Sequence, residues 1–485
     1  MASKKEATGG RASSAHSDLE HSKLDVGHLE VVPDPDDGLS EEEKAKIDRR
    51  LLWKLDMRLI PWLSLLYLAS FLDRTNIGNA KIDGLQEALN MSDGQYNASL
   101  TIFFISYSIF EPLTNVLLKR TLPSIFIPTI IVLWGICMTT MGLVHNFSGL
   151  MAARWFLGLA EAGLFPGISY YLSCWYKRSE FGIRMAIFFS SAALAGSFGG
   201  LLAAAIAKMN GVGGKDGWAW IFILEGLATI IIGVISFWLV YDFPDKAKFL
   251  SDVDRKRVMR RLALDQQSSS ANIEWKSSYM WDSLKDHKTW LGAIMYMGYS
   301  STRAQLLSVP PYACAAVVTI SVGYIADRTR QRGLCNIFAS IFGIIGFCML
   351  LGTKSPGVKY AGVFLGAIGI YPCIANTIAW VSNNVEGIYK RGLTIGIMIG
   401  WGNLNGIMSS NIYRKADAPD YYPGHGTVLA YLTLFLFLGS VVQHLLLRRE
   451  NRKRQRGDRD HRIEGLTPQE IEDLGDKKPD FIYTI

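Results

Sequence analysis

The chain has 485 residues, 49% of them hydrophobic and only 19% charged, with a formal net charge of +7 at pH 7. Its charges crowd into both ends and the middle, leaving stretches of roughly 20 residues nearly free of Asp, Glu, Lys and Arg, the length a helix needs to cross about 30 Å of hydrocarbon. That distribution excludes a soluble globular core, and it makes the basic surplus a determinant of membrane topology rather than a nucleic-acid surface.

Residues 1–50 are polar and charged, with Ser13, Ser14, Ser17 and Asp18 where a signal peptide would be apolar, and read as a disordered cytoplasmic tail. Apolar runs follow at 58–78, 96–118, 124–145, 149–174, 184–208 and 218–240, giving a first six-helix half over 51–240. A hydrophilic stretch, 241–288, reads as a cytoplasmic central loop. Runs at 304–326, 334–353, 358–382, 392–413 and 426–447 build a second half over 289–447, and 448–485 reads as a cytoplasmic tail. The fold class is an all-α membrane protein. Lys119-Arg120, Lys177-Arg178, Arg328-Arg330-Arg332, Lys390-Arg391 and Arg448-Arg449 belong inside, and the first six spans alternate correctly from a cytoplasmic N-terminus.

Five runs in the second half are one crossing short. Entering from a cytoplasmic loop, they would put Arg328, Arg330 and Arg332 outside. A seventh span is therefore required near Trp290, yet two crossings and a turn do not fit between Trp290 and Asp327. We read a truncated seventh helix, with a deletion of about 20–25 residues, roughly one helix, close to Gly298-Tyr299. A half-helix that enters and returns is the competing reading. The count is then about eleven full spans.

Ionisable groups inside apolar spans are costly and mark function. Asp73 and Arg74 lie in the first span. Arg154 and Glu161 lie in the fourth, seven residues apart and so on nearly one face, about 10 Å from each other. A carboxylate in low dielectric can take a proton near physiological pH, while an arginine stays charged and can grip a substrate carboxylate through two hydrogen bonds. This is the equipment of a proton-coupled carrier of organic anions. The competing reading makes Asp73–Arg154 or Arg74–Glu161 helix-locking ion pairs. Glu111 and Glu225 sit within the second and sixth spans as coupling or packing groups. Asn376 and Asn403 put amides into later spans, where they bind a polar substrate or tie helices together.

Gly323-Tyr-Ile-Ala-Asp327-Arg328-Thr-Arg330-Gln-Arg332-Gly333 places an aspartate among arginines at a cytoplasmic helix end, the makings of a gating latch formed by Asp327, Arg328 and Arg332. A purely topological arginine cluster is the alternative. Leu118-Lys119-Arg120 is a weaker echo in the first half, arguing for an internal repeat. Cys137, Cys174, Cys314, Cys335, Cys348 and Cys373 form no Cys-x-x-Cys pair, so neither a disulfide framework nor a metal site is expected, and no cofactor. No hydrolase motif or glycine-rich phosphate loop is present, which points away from an enzyme.

Phe71-Leu-Asp-Arg-Thr-Asn-Ile-Gly-Asn-Ala80, Phe110-Glu-Pro-Leu-Thr-Asn115 and Arg154-Trp-Phe-Leu-Gly-Leu-Ala-Glu-Ala-Gly-Leu-Phe-Pro-Gly167 carry a resemblance, continued by Trp220-Ile-Phe-Ile-Leu-Glu-Gly226, Ser382-Asn-Asn384 and Gly402-Asn403. From about Leu51 to Asn451 the chain resembles the major facilitator superfamily, and within it the fungal anion:cation symporters of the allantoate permease and high-affinity nicotinic acid transporter type. The resemblance implies two six-helix halves and proton-driven import of a small, nicotinate-like carboxylate across the plasma membrane by alternating access. It assigns Asp73 and Glu161 to protons and Arg74 and Arg154 to the substrate's charge. The partners it implies are an organic anion, a proton and the lipid bilayer, with no nucleic acid, for a protein acting as a monomer. Family members carry a complete seventh helix that lines the substrate path, so its loss here raises a second expectation: a non-transporting receptor or inactive form derived from such a carrier.

Overall fold

The computed structural model describes residues 35–36, 38–265, 278–297, 309–413, 417, 420–467, 470–471 and 474–485. Among the described residues the regular structure is helical throughout. The first half contains α1 (Glu41–Ile82), α2 (Asp93–Arg120), α3 (Pro123–Met141), α4 (Phe147–Glu161), α5 (Leu164–Ser173), α6 (Arg178–Ala207) and α7 (Gly217–Leu239). Two amphipathic loop helices follow, α8 (Asp252–Leu264) and α9 (Ser278–Lys285). The second half contains α10 (His287–Met297), α11 (Val309–Thr329), α12 (Arg332–Gly352), α13 (Pro356–Asn383), α14 (Ile388–Asn403), α15 (Asn405–Ile412), α16 (Tyr422–Tyr431) and α17 (Leu438–Gln455). A π-helical turn, Leu432–Phe437, joins the last two.

Helix α1 starts ten residues before the boundary expected at Leu51, because Ser40 and Glu43 form a reciprocal capping box that satisfies two end amides. Ser92 and Gln95 start α2 in the same way. Sequence and structure divide the fourth span differently: the expected single run is broken at Ala162-Gly163 into α4 and α5. Pro166, which has no N–H to donate, stands in the first turn of α5, where none is needed. The eleventh span breaks likewise at Leu404.

Eight helices among the described residues are long and apolar enough to cross a membrane. With the broken pairs α4–α5 and α14–α15 and the 21-residue α11, they make the eleven spans read from the sequence. Helix α10 has 11 residues, about 16 Å of rise, half a crossing. Its described part ends at Met297, and the seventh-helix deletion read from the sequence close to Gly298-Tyr299 falls outside the described residues.

Trp238, Ile231 and Leu113 stay exposed, as lipid-facing side chains do when tails replace water as the apolar solvent. Tight seams hold helices together where side chains shrink: Gly346 of α12 lies against the backbone of Gly366 in α13, and Gly369 of α13 against the backbone of Gly343, and neither Gly346 nor Gly369 has room for a Cβ. The two halves meet along two lines, α2 against α14 and α15, and α6 against α11.

Candidate substrate site and cytoplasmic gate

Arg74, Arg154 and Glu161 converge on the inner side of the first half. The Glu161 carboxylate is buried and accepts two hydrogen bonds on one oxygen, from Ser70 Oγ at 2.6 Å and Arg74 Nη2 at 2.8 Å. Its other oxygen has no hydrogen-bond partner. Arg74 lies over the rings of Phe103 and Tyr107 of α2, 5.6 and 5.1 Å from their centroids. Arg154 lies over Phe103 as well, at 4.8 Å. One aromatic ring thus serves two guanidinium groups, an attraction that grows where water is excluded.

The two arginines differ in what balances them. Arg74 has the Glu161 carboxylate. Arg154 is only 2% exposed, donates through Nε to the Ser99 carbonyl at 3.2 Å, leaves Nη1 without a partner, and forms no ion pair among the described residues. A buried cation so placed is expensive and suited to receive an anion.

Asp73, one residue from Arg74, faces the opposite way. It accepts from Trp134 Nε1 of α3 at 2.7 Å and from Thr229 Oγ1 of α7 at 2.9 Å. Consecutive residues on a helix are 100° apart, so α1 offers its arginine to α2 and α4 and its aspartate to α3 and α7. Of the two ion pairs weighed from the sequence, the structure forms Arg74–Glu161, while Asp73 and Arg154 do not meet. Trp134, Thr229, Ser70 and Phe103 were not singled out in the sequence, where a tryptophan or serine in an apolar run carries no distinguishing mark.

Asn403 reaches across the halves and donates through Nδ2 to Glu111 at 3.1 Å. Asn376 lies with the latch: its amide donates to the Arg332 carbonyl and to Asn336 Oδ1, both at 2.8 Å, and its oxygen accepts from Arg332 Nη1 at 3.0 Å. Arg332 is bonded to Asp327. Asp327 also accepts from the backbone N–H of Ile183 in α6 at 2.5 Å, and so joins the halves. Gly182 is required here, since a Cβ would collide with Asp327 and Arg332. Arg328 is exposed and reaches back to the Tyr324 hydroxyl at 3.1 Å. Nearer the membrane interior, Asn115 Nδ2 donates to the Gly392 carbonyl at 3.1 Å and closes a second cross-half seam.

Two helical halves bridged at Asp327–Ile183 and Asn115–Gly392, with ionisable groups buried inside long apolar helices, describe a multi-pass membrane protein. Residues 63–410 match the Major Facilitator Superfamily, and the chain belongs to that superfamily of multi-pass membrane transporters. It is 33% identical over 469 residues to the MFS-type transporter cnsO of Penicillium expansum, covering 90% of each chain. It is 32% identical over 470 residues to the high-affinity nicotinic acid transporter of Saccharomyces cerevisiae, covering 92% of this chain and 87% of that protein. Among solved structures, the Escherichia coli fucose:proton symporter superposes with a TM-score of 0.55 at 10% identity, over 79% of this chain and 97% of that one. The human organic anion transporter MFSD10 superposes with a TM-score of 0.54 at 13% identity, over 79% and 99%. At such identities these two speak for the fold alone.

Proposed function

We propose that the protein is a secondary active transporter that imports a small organic anion, nicotinate-like or another carboxylate, together with protons by alternating access at the plasma membrane. The observation that carries this reading is Arg154: a buried guanidinium stacked on Phe103, with Nη1 unpartnered and no ion pair among the described residues. An incoming carboxylate fits that vacancy, bonded through a planar fork that a lysine does not offer. The yeast relative's nicotinic acid supports the substrate class.

Glu161 supplies the coupling. While ionised it occupies Arg74. A proton on Glu161 cancels that attraction and releases Arg74 to join Arg154 on the substrate, so substrate and proton enter together. Asp73 is the second proton-coupling group; through Trp134 and Thr229 its charge state bears on how α1 seats against α3 and α7. Asn403, bonded to Glu111, is assigned to the substrate path, while Asn376 holds Arg332 and joins Asp327, Arg328 and Arg332 in the cytoplasmic gate, which breaks as the halves rock apart.

Uptake of labelled nicotinate into proteoliposomes under an inward proton gradient tests the proposal. Saturable, acid-stimulated uptake is expected, abolished by Glu161→Gln. Absence of uptake for nicotinate and a panel of small carboxylates would overturn it. The crossing missing from the sequence between Trp290 and Asp327 favours a second reading, a carrier-derived protein that does not transport. Sequencing the transcript across the codons for Met297, Gly298 and Tyr299 separates the two. About 20–25 added codons would restore a spanning helix and the symporter; an exclusive junction as written favours the second reading.

A further inference from the structure

The last eleven residues are built into the cytoplasmic face. Asp476 is 2% exposed and sits between Lys288, in the first turn of α10, and Lys390 of α14, which it meets at 2.8 Å; Asp286 completes this four-charge cluster, 3.3 Å from Lys288 and 3.1 Å from Lys390. The Arg454 guanidinium, at the end of α17, donates to the carbonyls of Asp476, Lys478 and Phe481 and to the Tyr483 hydroxyl. Asn451 makes a two-way amide bond with the Tyr483 backbone, and Asn384 does so with Thr484. Lys478 pairs with Glu386 at 3.3 Å. Phe481 and Tyr483 are buried in the same apolar cluster as Met295 of α10, Trp380 of α13 and Leu447 of α17.

A tail that only trails into the cytoplasm has no reason to bury an aspartate and two aromatic rings and to occupy an arginine with its carbonyls. Nearly all these anchors belong to the second half. One contact belongs to the first: the guanidinium of Arg178, at the start of α6, lies 4.8 Å from the centre of the Phe481 ring. The backbone of Arg178 also bridges the halves, since its carbonyl accepts from Asn383 Nδ2 at 2.9 Å.

We infer that the segment Gly475–Ile485 is a strap that fastens α10 to α14 and α17 and presents Phe481 as part of the cytoplasmic gate, against Arg178. Rocking the halves apart at the cytoplasmic side takes Arg178 off the ring, so the strap biases the carrier toward the state closed on that side. The device is independent of which anion is carried.

Cys174 is a native reporter. It is buried one turn beyond Tyr170, whose ring packs on Gly392 of the other half. In full-length protein in lipid nanodiscs, with the other five cysteines replaced by alanine, the rate at which a membrane-impermeant maleimide labels Cys174 reads how often the cytoplasmic side opens. Phe481→Ala leaves Asp476, the carbonyl clamp of Arg454 and the Thr484 contacts in place, and is expected to speed labelling by about fivefold, the population shift that follows from losing one partly exposed cation–π contact. Asp476→Asn is expected to speed it at least as much by loosening the whole strap. Native labelling rates in a monodisperse Phe481→Ala protein overturn the gate assignment; acceleration there upholds it even if Asp476→Asn fails to fold.

Discussion

The two halves handle buried charge in opposite ways. In the first half the charges lie at membrane depth and are incompletely matched: Arg74 has Glu161, but Arg154 has a carbonyl and a ring. In the second half they lie at the cytoplasmic end and are matched closely: Arg332 has Asp327 and Asn376, and Lys288 and Lys390 share Asp476 and Asp286. Desolvating a charge is worth its cost only when something returns the lost hydration. Matched charges return it at once and hold structure. Unmatched ones wait for a ligand. On the function proposed above, the first half is the binding half, and the second supplies the latch and the strap.

The sharpest way to break this contrast is to neutralise the carboxylates of the binding half. Asp73→Asn and Glu161→Gln are both expected to abolish acid-stimulated accumulation of nicotinate in proteoliposomes. Only Glu161→Gln should also alter apparent affinity, since Glu161 touches Arg74 and Asp73 does not. Acid stimulation that survives in both variants removes them from proton coupling.

The closely matched half should respond in stability instead. Arg332→Ala strands Asp327 in a buried site and is expected to cost roughly 3–5 kcal/mol, the usual penalty for breaking a buried pair from one side. Thermal unfolding in detergent measures this, and the double variant Arg332→Ala with Asp327→Ala should recover part of the loss. Recovery of nothing would mean that the pair does not act as a unit.

Arg154→Lys tests the unmatched cation with a smaller effect. It keeps the charge and loses the fork, so apparent affinity for nicotinate should fall about tenfold, near the worth of one charge-assisted hydrogen bond. Unfolding should shift little, because no charged partner is stranded. An unaltered affinity would make Arg154 a structural residue.

Much of this contrast is written in the sequence. Hydropathy and the Lys and Arg loops place the spans, and the missing crossing near Trp290 is visible as a failure of alternation. Membrane-depth charges pick out Asp73, Arg74, Arg154 and Glu161 because hydrocarbon tolerates few of them. Their partners are less legible. Whether Asp73 meets Arg154 or turns to Trp134 and Thr229 depends on the rotation of α1 among four neighbours, which no local pattern encodes. Asn376 shows the same limit: an amide in an apolar run announces a polar contact without saying that its partner is Arg332. The docked strap was hidden because a tail of mixed charge, Gly475-Asp-Lys-Lys-Pro-Asp480, reads as solvated until Lys288, Lys390 and Arg454 come together from three helices.

That strap gives the smallest expected effect, and one whose value is its sign. Burial pushes the Asp476 carboxyl up, but Lys288 and Lys390 outweigh it and hold the group well below the usual carboxylate range. Asp286 faces the same lysines, and Arg454 and Tyr483 hold the Asp476 carbonyl rather than its carboxylate. A depressed folded-state value means that the stability gained from ionised Asp476 is present above the unfolded value and is lost only as pH falls through the folded one. Between pH 8 and about pH 5, a window chosen to stay above the ordinary aspartate value of 3.8, the strap should therefore stay docked. Maleimide labelling of an Ile485→Cys variant, corrected for thiolate fraction, should not change across that window. Any acid-stimulated transport would then belong to the membrane carboxylates of the first half, whereas labelling that rises toward pH 5 would make the strap itself a pH-responsive element and move part of the proton dependence into the second half.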